Sequence, residues 1–127
     1  MTDQEALILL ALAYLAAKHF VFDFVFQRPY HFFRNKGIYG HPAGFIHSGL
    51  HVIGSIPALF ILNAPVWAGV LVLAAEFVIH YHLDWGKEQI ERRFQPAEAT
   101  RFLFLGADQL GHQLTYIGMV AALVWAQ

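Results

Sequence analysis

The sequence predicts an all-α membrane protein, a polytopic bundle of four transmembrane helices filling residues 1–127 as one domain. Three observations predict it. The 127 residues are 57% hydrophobic and 13% charged, where an ordinary globular domain is about 45–50% apolar and about 25% charged. Four stretches approach the roughly 20 mostly apolar residues that cross a bilayer. Seven of the eight lysines and arginines lie in or beside two of the loops joining those stretches, the charge segregation expected of a multi-pass protein.

The first span covers about 5–27. The residues before it, Met1 to Glu5, are acidic where a signal peptide is basic. The stretch also runs on through Lys18, His19 and Asp23 with no small-residue cleavage site, so it is read as a retained helix. The second span covers about 43–62 and opens after His41 and Pro42, proline being suited to a helix start. The third covers about 65–85, with Asn63 before it and Gly86 after it as stops. The fourth covers about 101–125. Long apolar windows with sparse turn residues favour helices over strands.

The turn at 63–65 is uncharged. The loop at 28–41 carries Arg28, Arg34 and Lys36, and the loop at 86–100 carries Lys87, Arg92 and Arg93, with Arg101 at its edge. In a four-span chain these two loops share one side. The excess of positive charge places them in the cytoplasm and both termini outside. Glu88 and Arg92, at helical spacing, make the second basic loop an amphipathic extension along the membrane surface. A soluble four-helix bundle is the competing arrangement, favoured by a mean hydropathy of only +0.47 and opposed by the length of the apolar runs. The net charge of −1 argues against nucleic acid as a partner, and the absence of cysteine excludes disulfides, iron–sulfur clusters and thiolate metal sites.

Each span carries one pair of metal-ligating residue types four apart: His19 and Asp23, His47 and His51, His80 and Asp84, Asp108 and His112. Residues at i and i+4 share one helix face. Each pair also lies within about two turns of a basic loop, so the expected topology sets all four at one depth, in the cytoplasmic half of the membrane. An Asp at the centre of a transmembrane helix costs at least about 2.5–3.5 kcal/mol. Eight such groups must therefore face each other, water or a cation. Histidine with carboxylate suits zinc, iron or manganese, and eight donors exceed one tetrahedral ion and fit two sharing a carboxylate. A single HxxxH or HxxxD pair is weak and usually means helix packing; four pairs at one depth point to metal. A metal-free His–Asp network that moves protons is the rival.

Five strings that carry these residues resemble a bacterial membrane family catalogued as domain-of-unknown-function family 3307. They run from His19 to Gln27, Arg34 to Lys36, His47 to His51, His80 to Lys87 and Asp108 to His112, and occur in the family's order. The resemblance implies a small polytopic protein of the bacterial inner membrane and brings no established activity. The pattern also looks like membrane-bound metal-dependent hydrolases that place His and Asp on helices, a looser likeness of residue types.

Around the constellation, Gln27 and Gln109 are candidates to orient the ligands from a second layer, or simply to join helices. Glu76, one turn before His80, is either the catalytic proton carrier or the partner of Lys18, the one lysine within a span. Arg34 and Lys87, with Asn35 and Lys36, are candidates to bind an anionic substrate or headgroup, or they only set topology. His31 and His41 fall in the first loop and His82 points away from His80, so all three are left out of the site. Gly44, Ser48 and Ser55 would let a neighbouring helix approach the second span, and Trp67, Trp85 and Trp125 mark span ends. The leading expectation is a binuclear metal-dependent hydrolase, zinc favoured, of an amphiphilic lipid or phosphoester at the cytoplasmic face. A metal-ion or proton transporter and a di-iron or di-manganese redox protein are the alternatives. Membrane lipid is the expected partner, and a homo-oligomer is left open.

Overall fold

A computed structural model describes residues 2–27 and 31–127, with His31 described by its backbone alone. Arg28, counted above in the first basic loop, lies outside the described residues. The order is α1 (Asp3–Phe20), a π-helical continuation (Val21–Phe26), a 3-10 segment (His31–Gly37), α2 (Pro42–Ile61), α3 (Val66–Phe94) and α4 (Glu98–Trp125). Consecutive helices pack against one another and α4 also packs on α1, so the bundle closes; the 3-10 segment lies across α2 and α3.

Local chemistry sets most of the ends. Thr2 and Glu5 form a reciprocal capping box at the start of α1, Thr2 N donating to Glu5 Oε2 at 2.8 Å and Glu5 N to Thr2 Oγ1 at 3.2 Å. His41 caps α2, its Nδ1 accepting from Ala43 N at 3.1 Å, and Pro42 is the first helical residue. Asn63, in the left-handed region at φ 49°, ends α2, and Ala64 N donates back to Leu59 O at 2.9 Å.

Gly86 does not stop α3. The helix continues through it to Phe94 and ends only at Gln95, whose φ is 41°. The expected surface extension is thus a direct prolongation of α3, held against the 3-10 segment by Gln89 Nε2 donating to Gly37 O at 2.7 Å.

The bundle is apolar outside and polar inside at one end. Phe60, Val66, Leu71, Leu103 and Trp125 are among the many large apolar side chains that face outward. The interior splits in two along its axis. Ala11, Leu15, Ala58, Leu62, Val72, Met119 and Leu123 fill the end near the termini and the α2–α3 turn. The end nearer the basic loops is filled by buried histidines, aspartates and Lys36.

Among the described residues, three helical segments are long and apolar enough to cross a membrane: Asp3–Phe26, Pro42–Ile61 and Val66–Phe94. At 28 residues α4 has the length but not the average apolarity, because Asp108, Gln109, His112, Gln113 and Thr115 lie along it. Close approach of α2 to α3 depends on Gly44, where a Cβ would fall 2.7 Å from the Tyr81 ring.

Candidate metal centre

The four i, i+4 pairs converge. His19, His47, His51, His80, His112, Asp84 and Asp108 are all buried, and the Asp23 side chain is 6% exposed. Five imidazoles crowd one space, with ring centroids 3.9 Å apart for His51 and His80 and 4.2 Å for His80 and His112.

Two carboxylates stitch the helices together. Asp23 Oδ1 lies 3.1 Å from His47 Nε2 and 3.1 Å from His51 Nε2, while its Oδ2 lies 3.1 Å from His19 Nε2. Asp84 Oδ2 lies 3.1 Å from His47 Nε2 and 3.6 Å from His80 Nε2, and its Oδ1 lies 3.5 Å from His112 Nε2. Asp108 Oδ1 stands 3.5 Å from His112 Nε2. The π-helical stretch carries Asp23 into this group; such single turns admit an extra residue into a helix and recur at functional sites.

These contacts are close without being hydrogen bonds. Nε2 of His47, His51, His80 and His112, Oδ1 of Asp23 and Asp108, and both Asp84 oxygens are buried with no hydrogen-bond partner. A buried polar atom left unpaired costs about 1–3 kcal/mol, so seven of them at one point need an explanation, Asp84 Oδ2 having the Lys36 ammonium at 3.0 Å. Lone pairs that aim at a common space and miss each other's hydrogens are the arrangement a cation requires. Three overlapping groups have the compactness to hold an ion: Asp23, His47, His51 and His80; His19, His80 and His112; Asp84, Asp108 and His112. All eight residues expected as ligands are in these groups, so the donor set fits divalent metal.

His19 differs from the other four imidazoles. Its Nε2 already has Gln109 Oε1 at 3.0 Å and its Nδ1 has the Tyr116 hydroxyl at 3.1 Å. A metal would have to take His19 from Gln109.

Residues 9–127 match the family described as Protein of unknown function (DUF3307). The chain belongs to that family. No curated protein and no solved structure matches it. In this DUF3307 protein, then, the chemistry must be read from the site alone.

Both expected orienting residues border the site. Gln109 Nε2 donates to Asp108 Oδ2 at 3.2 Å and approaches Asp23 Oδ2 at 3.4 Å. Gln27 Oε1 accepts from Lys36 Nζ at 3.1 Å. Glu76 is fully buried but stands apart, its Oε1 accepting from Lys18 Nζ at 3.0 Å and from Ser55 Oγ at 2.8 Å, with Oε2 unpaired. The Lys18 pairing weighed above is therefore present. Lys87 contacts Glu88 and Glu91, each at 3.6 Å, and Arg34 is exposed. His82 faces outward, bonding Val78 O at 2.7 Å, and His41 is a helix cap.

Tyr116 escaped the sequence reading, and Lys36, expected with Arg34, Asn35 and Lys87 to meet an anion at the surface, stands instead inside the site. Lys36 is buried and lies 3.0 Å from Asp84 Oδ2. Burial by itself would lower its ammonium, but Asp84 and Asp23 more than offset this and hold it above the ordinary lysine value. Tyr116 meets His19, Lys18 at 2.9 Å and, at 3.5 Å, His51 Nδ1. It lies one turn beyond His112, so extending the Asp108–His112 column would have found it.

Outer partners of this kind fix an imidazole's tautomer and orientation. Tyr116→Phe keeps the packing and removes the hydroxyl. It should weaken the affinity of the cluster for a divalent metal by about 10–100-fold, measured with added zinc in competition with a fluorescent chelator, and leave the helical circular dichroism unchanged.

Proposed function

We propose that this DUF3307 protein is a membrane-embedded hydrolase with two divalent metals, zinc favoured, acting on an amphiphilic phosphoester at the cytoplasmic face of the bacterial inner membrane. The observation that carries the reading is the set of unpaired imidazole and carboxylate atoms converging from four helices. On this reading α4 is the fourth span. Its lipid-facing side, with Phe102, Leu103, Leu110, Leu114 and Ile117 exposed, supports it, and its polar residues belong to the interior. Both termini then lie outside and the basic loops in the cytoplasm.

Asp23, His47, His51, His80, Asp84, Asp108 and His112 would hold the ions, with His19 recruited from Gln109. Divalent ions supply Lewis-acid polarisation and activate water near neutral pH, where its pKa falls to about 7. The chain's residues do the rest. Asp84, which faces three helices and Lys36, is the carboxylate placed to be shared. Lys36 offers a cation beside the centre to an anionic group, and Lys87 and Arg34 add positive charge at the surface. Glu76, with one oxygen unpaired, is the candidate to carry a proton.

Charge balance favours an anionic substrate. The three aspartates carry three formal negative charges and Lys36 one positive, while Lys18 and Glu76 cancel. One divalent ion neutralises the remainder. A second leaves an excess of two positive charges in a low-dielectric interior, which a phosphoester and an activated water would offset.

The apolar cluster at the far end of the bundle, including Leu15, Leu62, Val72 and Leu123, counts against a transporter. Redox centres of the bundle type draw on several glutamates, and Glu76 is the one available here.

The test is metal analysis of the protein purified in mild detergent, followed by p-nitrophenolate release from bis-p-nitrophenyl phosphate and headgroup release from short-chain phospholipids. Retained zinc, with activity abolished by chelation and restored by zinc, supports the reading. Iron with a visible absorption band, or no retained metal with ion flux in liposomes, would replace it with the redox or transport alternative.

A further inference from the structure

A groove runs down the outer side of the bundle between α3 and α4. Its longer part, about 540 Å³, is lined by Val72, Ala75, Glu76, Leu83, Gly111 and Gly118, among others. A second cavity of about 240 Å³ continues it toward the basic loops and is walled by Lys87 and Asp108. Leu83 lines both, so the two are adjacent. The groove is therefore apolar over most of its length and polar at one end, and the polar end opens on a residue of the candidate metal centre.

We propose that this groove binds one acyl chain of an anionic glycerophospholipid from the surrounding leaflet, with the headgroup beside Lys87 and Asp108. The proposal rests on the reading of the cluster as a metal centre acting on an amphiphile, and it says where that substrate's chain lies.

Dimensions and charge agree with such an occupant. On α4 the longer part extends from Gly111 to Ala122, which at about 1.5 Å per residue is roughly 16 Å. Half the hydrocarbon thickness of a bilayer is about 15 Å. Lys87 supplies the cation for a phosphate at the end where headgroups lie. Glu76 is the one ionisable residue on the longer wall, and Lys18 balances its charge from behind at 3.0 Å. The other large apolar cavity is lined, among the described residues, by Phe22, Phe26, Phe32, Phe33 and Leu50.

Gly118 offers a clean test, because a Cβ there would meet nothing within 4 Å. A large side chain at this position fills the groove without touching the cluster. The full-length protein is reconstituted in phosphatidylcholine vesicles doped with phosphatidylglycerol that carries a diazirine at mid-chain. Photolabel should fall on residues 72–83 and 111–122 and be displaced by unlabelled phosphatidylglycerol. Gly118→Phe should reduce it about tenfold or more with zinc content unchanged. Lys87→Ala should let a phosphatidylcholine probe label as well as the phosphatidylglycerol probe.

Label confined to the phenylalanine-lined cavity, or undiminished in Gly118→Phe, overturns the proposal. So does a dimer cross-linked through residues 111–122 without lipid label, which would make the groove a contact between copies. Specific label in wild-type protein that retains no metal would remove the metal centre and leave the lipid groove standing.

Discussion

Asp84→Asn will strip the candidate centre of its metal. Asp84 is the carboxylate that α2, α4 and the 3-10 segment all approach, through His47, His112 and Lys36, with His80 on its own helix at 3.6 Å. An amide replaces a charged ligand with a neutral one whose nitrogen cannot coordinate. Loss of a mere outer partner already weakens metal binding by about 10–100-fold, so the loss here should exceed about 100-fold. Zinc retained per chain after dialysis against a weak chelator measures it. The same change leaves Lys36 buried without its counter-ion, and removing one side of a buried pair costs about 3–5 kcal/mol. Asp84→Asn should therefore also lower the unfolding temperature in detergent. Asp84→Asn with Lys36→Met separates the two effects: stability should largely return and zinc should not. Wild-type zinc retention by the single variant would show that the carboxylate serves packing alone.

How far the sequence reached depends on which interactions are local. The pairs His47–His51 and Asp108–His112 were legible because helix geometry alone aligns positions i and i+4, and the cost of burying such groups in lipid made their convergence predictable. Lys36 was legible as a basic candidate for an anion at the surface, but not as the buried partner of Asp84. It reaches Asp84 only because the 3-10 segment folds across α2 and α3, a tertiary event with no periodic signal. Gly86 misled for a related reason. Isolated glycine weakens a helix by about 1 kcal/mol, and the packing of Gln89 and Glu88 against Gly37 carries α3 past it. The π-helical turn at Asp23 has no sequence signature either, since the change from i−4 to i−5 bonding, seen where Gln27 N donates to Phe22 O at 3.2 Å, alters no pattern of residue types. Likewise His19 looked equivalent to the other imidazoles until Gln109, a flexible neighbour on another helix, proved to hold its Nε2.

Lys18→Met should be among the most destabilising single changes in the protein. The Lys18 ammonium is buried and donates to Glu76 Oε1, to the Tyr116 hydroxyl and to His51 O at 2.9–3.0 Å. Methionine fills the same space and donates to none of them. Glu76 would remain buried with only Ser55 as a partner, again at a cost of about 3–5 kcal/mol, read as a fall in the midpoint of thermal unfolding in detergent. Glu76→Gln should cost less, because the Lys18 ammonium keeps its other two acceptors. Lys18→Met with Glu76→Leu replaces both charges with apolar groups and should recover most of the stability, as replaced buried pairs commonly do. That double variant also decides between the two readings of Glu76. If Glu76 carries a proton, the folded, zinc-loaded double variant will hydrolyse phosphoesters poorly, and the pH profile will lose its dependence on that group. If Glu76 exists to neutralise Lys18, the double variant will turn over at the wild-type rate. Glu76 lies one helical turn before His80 with Oε2 unpaired, the oxygen that the first result requires.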